Sequence, residues 1–246
     1  MKTSLLLAAV AAIALSATAA TAAPSAAVTA AVADTHRPAA DRELDAARKP
    51  ADMLEFAGVK PGQTVVDLIP GGGYFTRLFS KAVGPQGVVY AVGGPPRDPS
   101  KPSAQDTIAA DAAYANVKSI HAPIGGGLQI PTKADVVWTS QNYHDLKNIK
   151  DVDIVAFNKS VFDALKPGGV YVVLDHVANP DTPNATSTVH RIDPAVVKRE
   201  VEAAGFKFDG ESDVLRNPAD DHTKGVFDAS IRHHTDQFVY KFKKPS

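Results

Sequence analysis

Short apolar runs alternate along this chain with stretches in which apolar residues recur every three or four positions. The first run, Thr64-Val-Val-Asp-Leu68, passes through Ile69-Pro-Gly-Gly-Gly73 into Tyr74, Phe75, Leu78, Phe79 and Ala82, which lie at helical spacing. A strand, a glycine turn and a helix are therefore predicted in succession. Val88–Val92 is short, apolar and bounded by glycine on both sides, the pattern of a buried strand, and further strands are predicted at Val117–His121, Asp135–Thr139 and Val170–Leu174. Between them the spacing predicts a weak helix over 104–115 and a firm one over 152–165, which Lys166-Pro-Gly-Gly169 stops. A helix over 193–204 is capped by Asp193 with Pro194 at its first position. Two last runs, 205–215 and 236–242, read as strands, and Phe238, Tyr240 and Phe242 alternate with Gln237, Val239 and Lys241 as in an antiparallel edge pair. Ahead of the first strand, 41–57 reads as helical with a break at Lys49-Pro50.

This alternation predicts one α/β domain over 41–246. Its seven-stranded sheet is doubly wound and mostly parallel, with helices on both faces and an antiparallel terminal strand pair. Ligands of such sheets bind outside the carboxyl ends of the strands, beside the first one. The residues ahead of the domain read differently. Lys2, the apolar run Leu5–Leu15 and the small residues Ala20-Thr21-Ala22 form a signal-peptide pattern over 1–22, and 23–40 reads as a flexible linker. A periplasmic or secreted protein without a stable membrane anchor is expected. The sequence contains no cysteine, which removes disulfides, thiolate metal sites and cysteine nucleophiles. A formal net charge of −1 gives no footprint for nucleic acid, so the expected partner is a small molecule.

Candidate chemistry collects near the predicted strand ends. The glycine turn leaves backbone N–H groups open to a ligand at the start of a helix, unless it is merely a tight connection. Asn142-Tyr-His-Asp145 follows the fourth strand, where it offers either a base or a helix cap. Asp175-His176 ends the fifth, and His190 precedes the helix capped by Asp193. Three histidines with carboxylates invite a metal, but the chain has no tight His-x-x-x-His pair here, and no metal is expected. Arg216 to Thr235, polar and irregular, is either a lid or a solvated loop, and Trp138 is expected in the core.

Val65-Val-Asp67 with Gly71-x-Gly73, Asp135-Val-Val-Trp138 and Leu165-Lys-Pro-Gly-Gly169 together resemble three motifs of the class I S-adenosylmethionine-dependent methyltransferases, which are Rossmann-like. More narrowly, Arg48-Lys-Pro50, Asn142–Asp145, His190–Asp193 and Thr235–Phe242 resemble an exported bacterial group of predicted methyltransferases. The resemblance implies S-adenosyl-L-methionine as methyl donor, with Asp67, Gly71, Gly72, Gly73, Tyr74 and Gln141 on its side of the site. It places Tyr143 and His144 on the acceptor side, either of them able to take a proton from an oxygen or nitrogen as it is methylated. The family's carboxylate for the ribose hydroxyls would end strand two, where this chain has Gly93-Gly94, and Ile69-Pro70 stands where the first motif glycine is usual. The same residues leave two other outcomes open: a binding protein that has lost the donor, and a hydrolase or lyase built on the His/Asp set.

Overall fold

A computed structural model of the protein describes residues 23–96 and 98–246, so the expected signal peptide at 1–22 lies outside the described residues. In chain order the elements are α1 (Ala26–Val32), α2 (Ala39–Glu43), α3 (Asp45–Arg48), α4 (Pro50–Ala57), β1 (Thr64–Leu68), α5 (Tyr74–Val83) and β2 (Val88–Gly93). They continue with α6 (Ala104–Ala110), β3 (Val117–His121), β4 (Ala134–Ser140), α7 (Tyr143–Leu146), α8 (Ile154–Ala164) and β5 (Leu165–His176). The chain closes with α9 (Ala185–Thr188), α10 (Pro194–Ala203), β6 (Lys207–Ser212) and β7 (Gln237–Lys243).

The strands form a 7-stranded sheet in the order β3-β2-β1-β4-β5-β7-β6. From β3 across to β5 every pairing is parallel, and β7 runs antiparallel between β5 and β6. The predicted fold class is therefore the observed one. Because successive side chains point to opposite faces, each central strand feeds two cores. Val65, Val89, Val136, Trp138 and Val172 pack with α4 and α5 on one face, while Val66, Val92, Val137, Tyr171 and Val173 pack with α8 and α10 on the other. Trp138 is a core residue, with its ring 4.7 Å from that of Phe75 and 5.8 Å from that of Phe79.

The expected linker over 23–40 is corrected by the structure. Ser25 caps α1, and Val28 and Ala31 are fully buried in the core that α5 also lines. Small side chains let this helix come close to its neighbour, so an alanine-rich segment that reads as a tether serves as a packing face. Beyond it, the buried Arg37 guanidinium binds Asp45 at 2.9 Å and the carbonyl of Val32 at 2.7 Å, fixing the approach to α2 and α3. The predicted break at Lys49-Pro50 is present: Lys49 takes the left-handed conformation at φ 47°, and Pro50 opens α4.

Candidate functional site

The chain crosses from β3 to β4 over the sheet, so the carboxyl ends of β1 and β4 lie side by side at the switch point. At the end of β1, Ile69 sits at φ 58°, a left-handed conformation that costs a β-branched residue about 1–2 kcal/mol. It is held there from both sides. The Ile69 N–H donates to Val92 O at 2.7 Å, and Ile69 O accepts from Asn142 Nδ2 at 2.9 Å. Strained backbone persists where surrounding contacts over-determine it, and such places cluster at ligand sites.

The glycines of the turn divide by role. A Cβ built on Gly71 or Gly72 meets nothing within 4 Å, so both present bare backbone. Gly73 is different: its φ is 79°, and a Cβ there would lie 2.1 Å from Ile108 Cδ1 of α6. It is a packing glycine. Gly71 lines a cleft of about 540 Å³ with Ile69, Pro70, Gly93, Gln105 and Ile124, between the ends of β1 and β2.

Gln105 is the residue that sequence reasoning missed. It lies on α6 beneath the end of β2, and a Cβ on Gly93 would stand 2.3 Å from its Oε1. Its Nε2 donates to Ile120 O at 2.9 Å, which leaves Oε1 with no donor among the described residues. The amide oxygen thus occupies the space that a side chain on Gly93 would need. Beside it, His121 bridges Gly94 O at 3.0 Å and Asp106 at 2.8 Å, and these two bonds raise its pKa.

Three residues expected on the donor side are directed elsewhere. Asp67 is buried and accepts a 2.6 Å hydrogen bond from Thr76 Oγ1, so it anchors the first turn of α5 and does not line the cleft. Burial pushes its carboxyl up to about 7. Tyr74 donates from its hydroxyl to Asp45 at 2.6 Å, and its ring lies under the guanidinium groups of Arg37 and Arg48 at 5.4 and 4.6 Å. Gln141 takes φ 59° and donates to Gln237 Oε1 at 2.8 Å, tying the β4 end to β7. Gln237 in turn lines a second cavity of about 500 Å³, between α2–α3 and the β6–β7 connection, with Glu43, Lys49, Arg216 and His233.

On the acceptor side Tyr143 and His144 part company. Tyr143 is fully buried in the core packed by α8 and α10, where its hydroxyl donates to Glu200 at 3.2 Å and accepts from Asn158 at 2.8 Å. Burial raises its phenol well above the ordinary value, and it reaches no cleft as a base. The expectation for Tyr143 is corrected: in a one-turn helix beside the sheet, the first residue faces inward. His144 is held by Asp175 through two bonds, Nδ1 to Oδ1 and backbone N–H to Oδ2, each 2.8 Å. The His176 N–H donates to the same carboxylate at 2.8 Å. Burial alone would raise Asp175, but the charge of His144 and these hydrogen bonds hold it below the usual range. Burial likewise opposes the His144 imidazolium, and the charge of Asp175 outweighs it, so this pKa is raised.

The histidines do converge. His144 lies 5.6 Å from His190 and 6.2 Å from His176, ring centre to ring centre. His176 donates to or accepts from Thr235 Oγ1 at 2.8 Å, and burial lowers its pKa to about 4, so it is neutral in the folded protein near neutral pH. The β6–β7 connection, open to reading as lid or loop, is tied down where it meets β7. Asp236 takes Arg216 at 2.8 Å and His222 at 3.0 Å, and Asp220 takes the buried Arg191 at 2.9 Å.

Solved structures of the same architecture can be set beside this one. A SAM dependent methyltransferase from Aquifex aeolicus superposes with TM-score 0.56 at 18% identity, over 84% of this chain and 98% of that one. One from Mesorhizobium loti superposes with TM-score 0.58 at 14% identity, over 82% of this chain and 100% of that one. The fold is the α/β methyltransferase fold. The [4+2]-cyclase SpnF has it too, with TM-score 0.57 at 18% identity over 84% of this chain and 81% of that one. Neither a protein-family model nor a curated protein matches the sequence. No helix among the described residues is long and apolar enough to cross a membrane.

Proposed function

We propose that the protein transfers a methyl group from S-adenosyl-L-methionine to an oxygen or nitrogen of a small molecule. The observation that carries this reading is the bare backbone of Gly71, which opens on a cleft of about 540 Å³ at the switch point of a methyltransferase fold. The residues of that cleft fit the donor. Gly71 would take its methionine part, and Gln105 Oε1, without a donor among the described residues, would accept from a ribose hydroxyl in place of the usual carboxylate.

Once bound, the donor supplies an electrophilic methyl group on a sulfonium. The chain's own tasks are to place the acceptor and to remove its proton. His144 suits the second: Asp175 holds Nδ1, which turns Nε2 away from the carboxylate and raises the basicity of the ring. Little more is required, because transfer between two held groups depends mainly on their proximity. The leader-like residues 1–22 support action outside the cytoplasm, and the amino-terminal sequence of the mature protein tests it.

A second reading has its own support. A neutral amide where a carboxylate is usual, and a strained isoleucine where glycine is usual, fit a cleft retuned to another ligand. The cyclase with this fold shows that the architecture hosts other chemistry. Mass analysis of small molecules released from the protein purified from its own compartment separates the two. S-adenosylmethionine or S-adenosylhomocysteine supports methyl transfer, and a different stoichiometric ligand supports the retuned cleft.

A further inference from the structure

We propose that His144, Asp145 and His190 form a binding site for a divalent transition-metal cation of the zinc class. His144 and Asp145 lie in α7 after β4 and His190 in the turn before α10, and the fold brings them together. His144 Nε2 lies 3.4 Å from Asp145 Oδ1, His190 Nδ1 lies 4.0 Å from the same oxygen, and all three ligand atoms fall within 4.8 Å of one another. Bonds of about 2.0–2.1 Å in a tetrahedral site put ligand atoms about 3.3 Å apart. One edge of the triangle is already at that length, and the others close with a movement of roughly 1–1.5 Å by the half-exposed His190.

The supporting contacts are those a metal site needs. A ligating histidine ordinarily gives its second nitrogen to a carboxylate, which fixes the ring and its tautomer. Here Nδ1 of His144 meets the buried Asp175 at 2.8 Å, which leaves Nε2 directed toward Asp145 and His190. Asp175 is itself fixed by the backbone N–H groups of His144 and His176. On the other side, His190 is held at φ 55° next to the fully buried Arg191. The guanidinium of Arg191 binds Asp220 at 2.9 Å, Val177 O at 3.1 Å and Lys224 O at 3.0 Å, so the turn that carries His190 is anchored from beneath.

Two imidazoles and a carboxylate favour zinc, iron, cobalt, nickel or copper over magnesium or calcium, which prefer all-oxygen shells. With Asp145 and His190 half exposed, one side of the cation stays open to water or to an acceptor oxygen. A hydroxyl bound there loses its proton to solvent near neutral pH, which gives the cation the task assigned above to the free His144 ring. That role rests on the methyl-transfer reading, whereas the site itself does not.

The test uses the full chain, stripped with chelator and titrated with Co²⁺ alone while the visible d–d absorption is followed. One equivalent should bind saturably with bands of mixed nitrogen and oxygen coordination, and Zn²⁺ should displace it. His190→Ala and Asp145→Asn should each weaken Co²⁺ binding at least tenfold, while His222→Ala, outside the cluster, leaves it unchanged. Asp145 is half exposed, so its variant reports even where His190→Ala fails to fold. Absence of saturable Co²⁺ binding at millimolar metal overturns the proposal, as does unchanged affinity in a folded Asp145→Asn protein. Co²⁺ binding without S-adenosylmethionine binding keeps the site and removes only its role. Donor binding without Co²⁺ binding removes the site and leaves the methyl-transfer reading standing.

Discussion

Asp67→Asn isolates the buried carboxyl at the end of β1. In the folded protein burial pushes this group up to about 7, against 3.8 in the open chain. Between those values the folded protein keeps a proton that the unfolded chain has released, so stability falls as pH rises through the window and levels off above about 7. At about 1.4 kcal/mol per pH unit the ceiling is about 4 kcal/mol, of which about 2–3 kcal/mol falls between pH 5 and pH 8. Asparagine still accepts the bond from Thr76 Oγ1, now 2.6 Å long, and removes the titration. Urea unfolding of both proteins at about pH 5 and about pH 8 should show the variant gaining about 2–3 kcal/mol on the wild type as pH rises. The difference between the two proteins matters more than either curve. Neutral burial of His176, its pKa lowered to about 4, contributes the opposite slope, with stability lost as pH falls below its unfolded value, and this is common to both. A difference that stays flat across that range refutes the account of Asp67.

Asp175→Asn in metal-free protein should lower the methyl-transfer rate by about 10²-fold or more and move the rise of activity with pH toward lower pH, because the charge that raises His144 is gone; a pH–rate profile checks both. Gln105→Ala should weaken S-adenosylmethionine binding about tenfold by removing one acceptor, read by calorimetry, with Gln105→Glu retaining the donor. Gly73→Ala should cost about 2–4 kcal/mol in urea unfolding, since its Cβ would meet Ile108 at 2.1 Å in a left-handed turn. Arg191→Met leaves Asp220 buried and unpaired, and should cost about 3–5 kcal/mol in the same assay.

The parallel part of the sheet was legible because β1, β2, β4 and the second half of β5 are short apolar runs, and the Gly71–Gly73 turn announces itself in composition. Lys166-Pro-Gly-Gly169 reads as a turn too, but β5 already starts at Leu165 and carries it as an irregularity against β4. Side-chain direction was not legible in the same way. Nothing in Asn142-Tyr-His-Asp145 says which member faces the core, and the answer, Tyr143 inward and His144 held by Asp175 at the strand ends, depends on how a one-turn helix leaves β4. Asp67 reads as a ligand residue because it ends a strand before a glycine turn, yet Thr76 on the following helix takes its side chain. Gln105 left no signal, since it reaches the end of β2 from α6 through space. The segment 23–40 misled for a compositional reason: alanine and valine in a short helix carry no visible stripe, although Val28 and Ala31 are fully buried. His190 and Asp145 are far apart in sequence, and only the fold makes them neighbours.

The central claim is that the cleft lined by Gly71 and Gln105 holds S-adenosylmethionine. Calorimetric titration of the purified chain with that compound measures it directly. The account predicts saturable binding of one equivalent with a dissociation constant below about a millimolar, weakened in Gln105→Ala. Absence of heat at millimolar ligand, from a protein that unfolds cooperatively and is therefore folded, would contradict it.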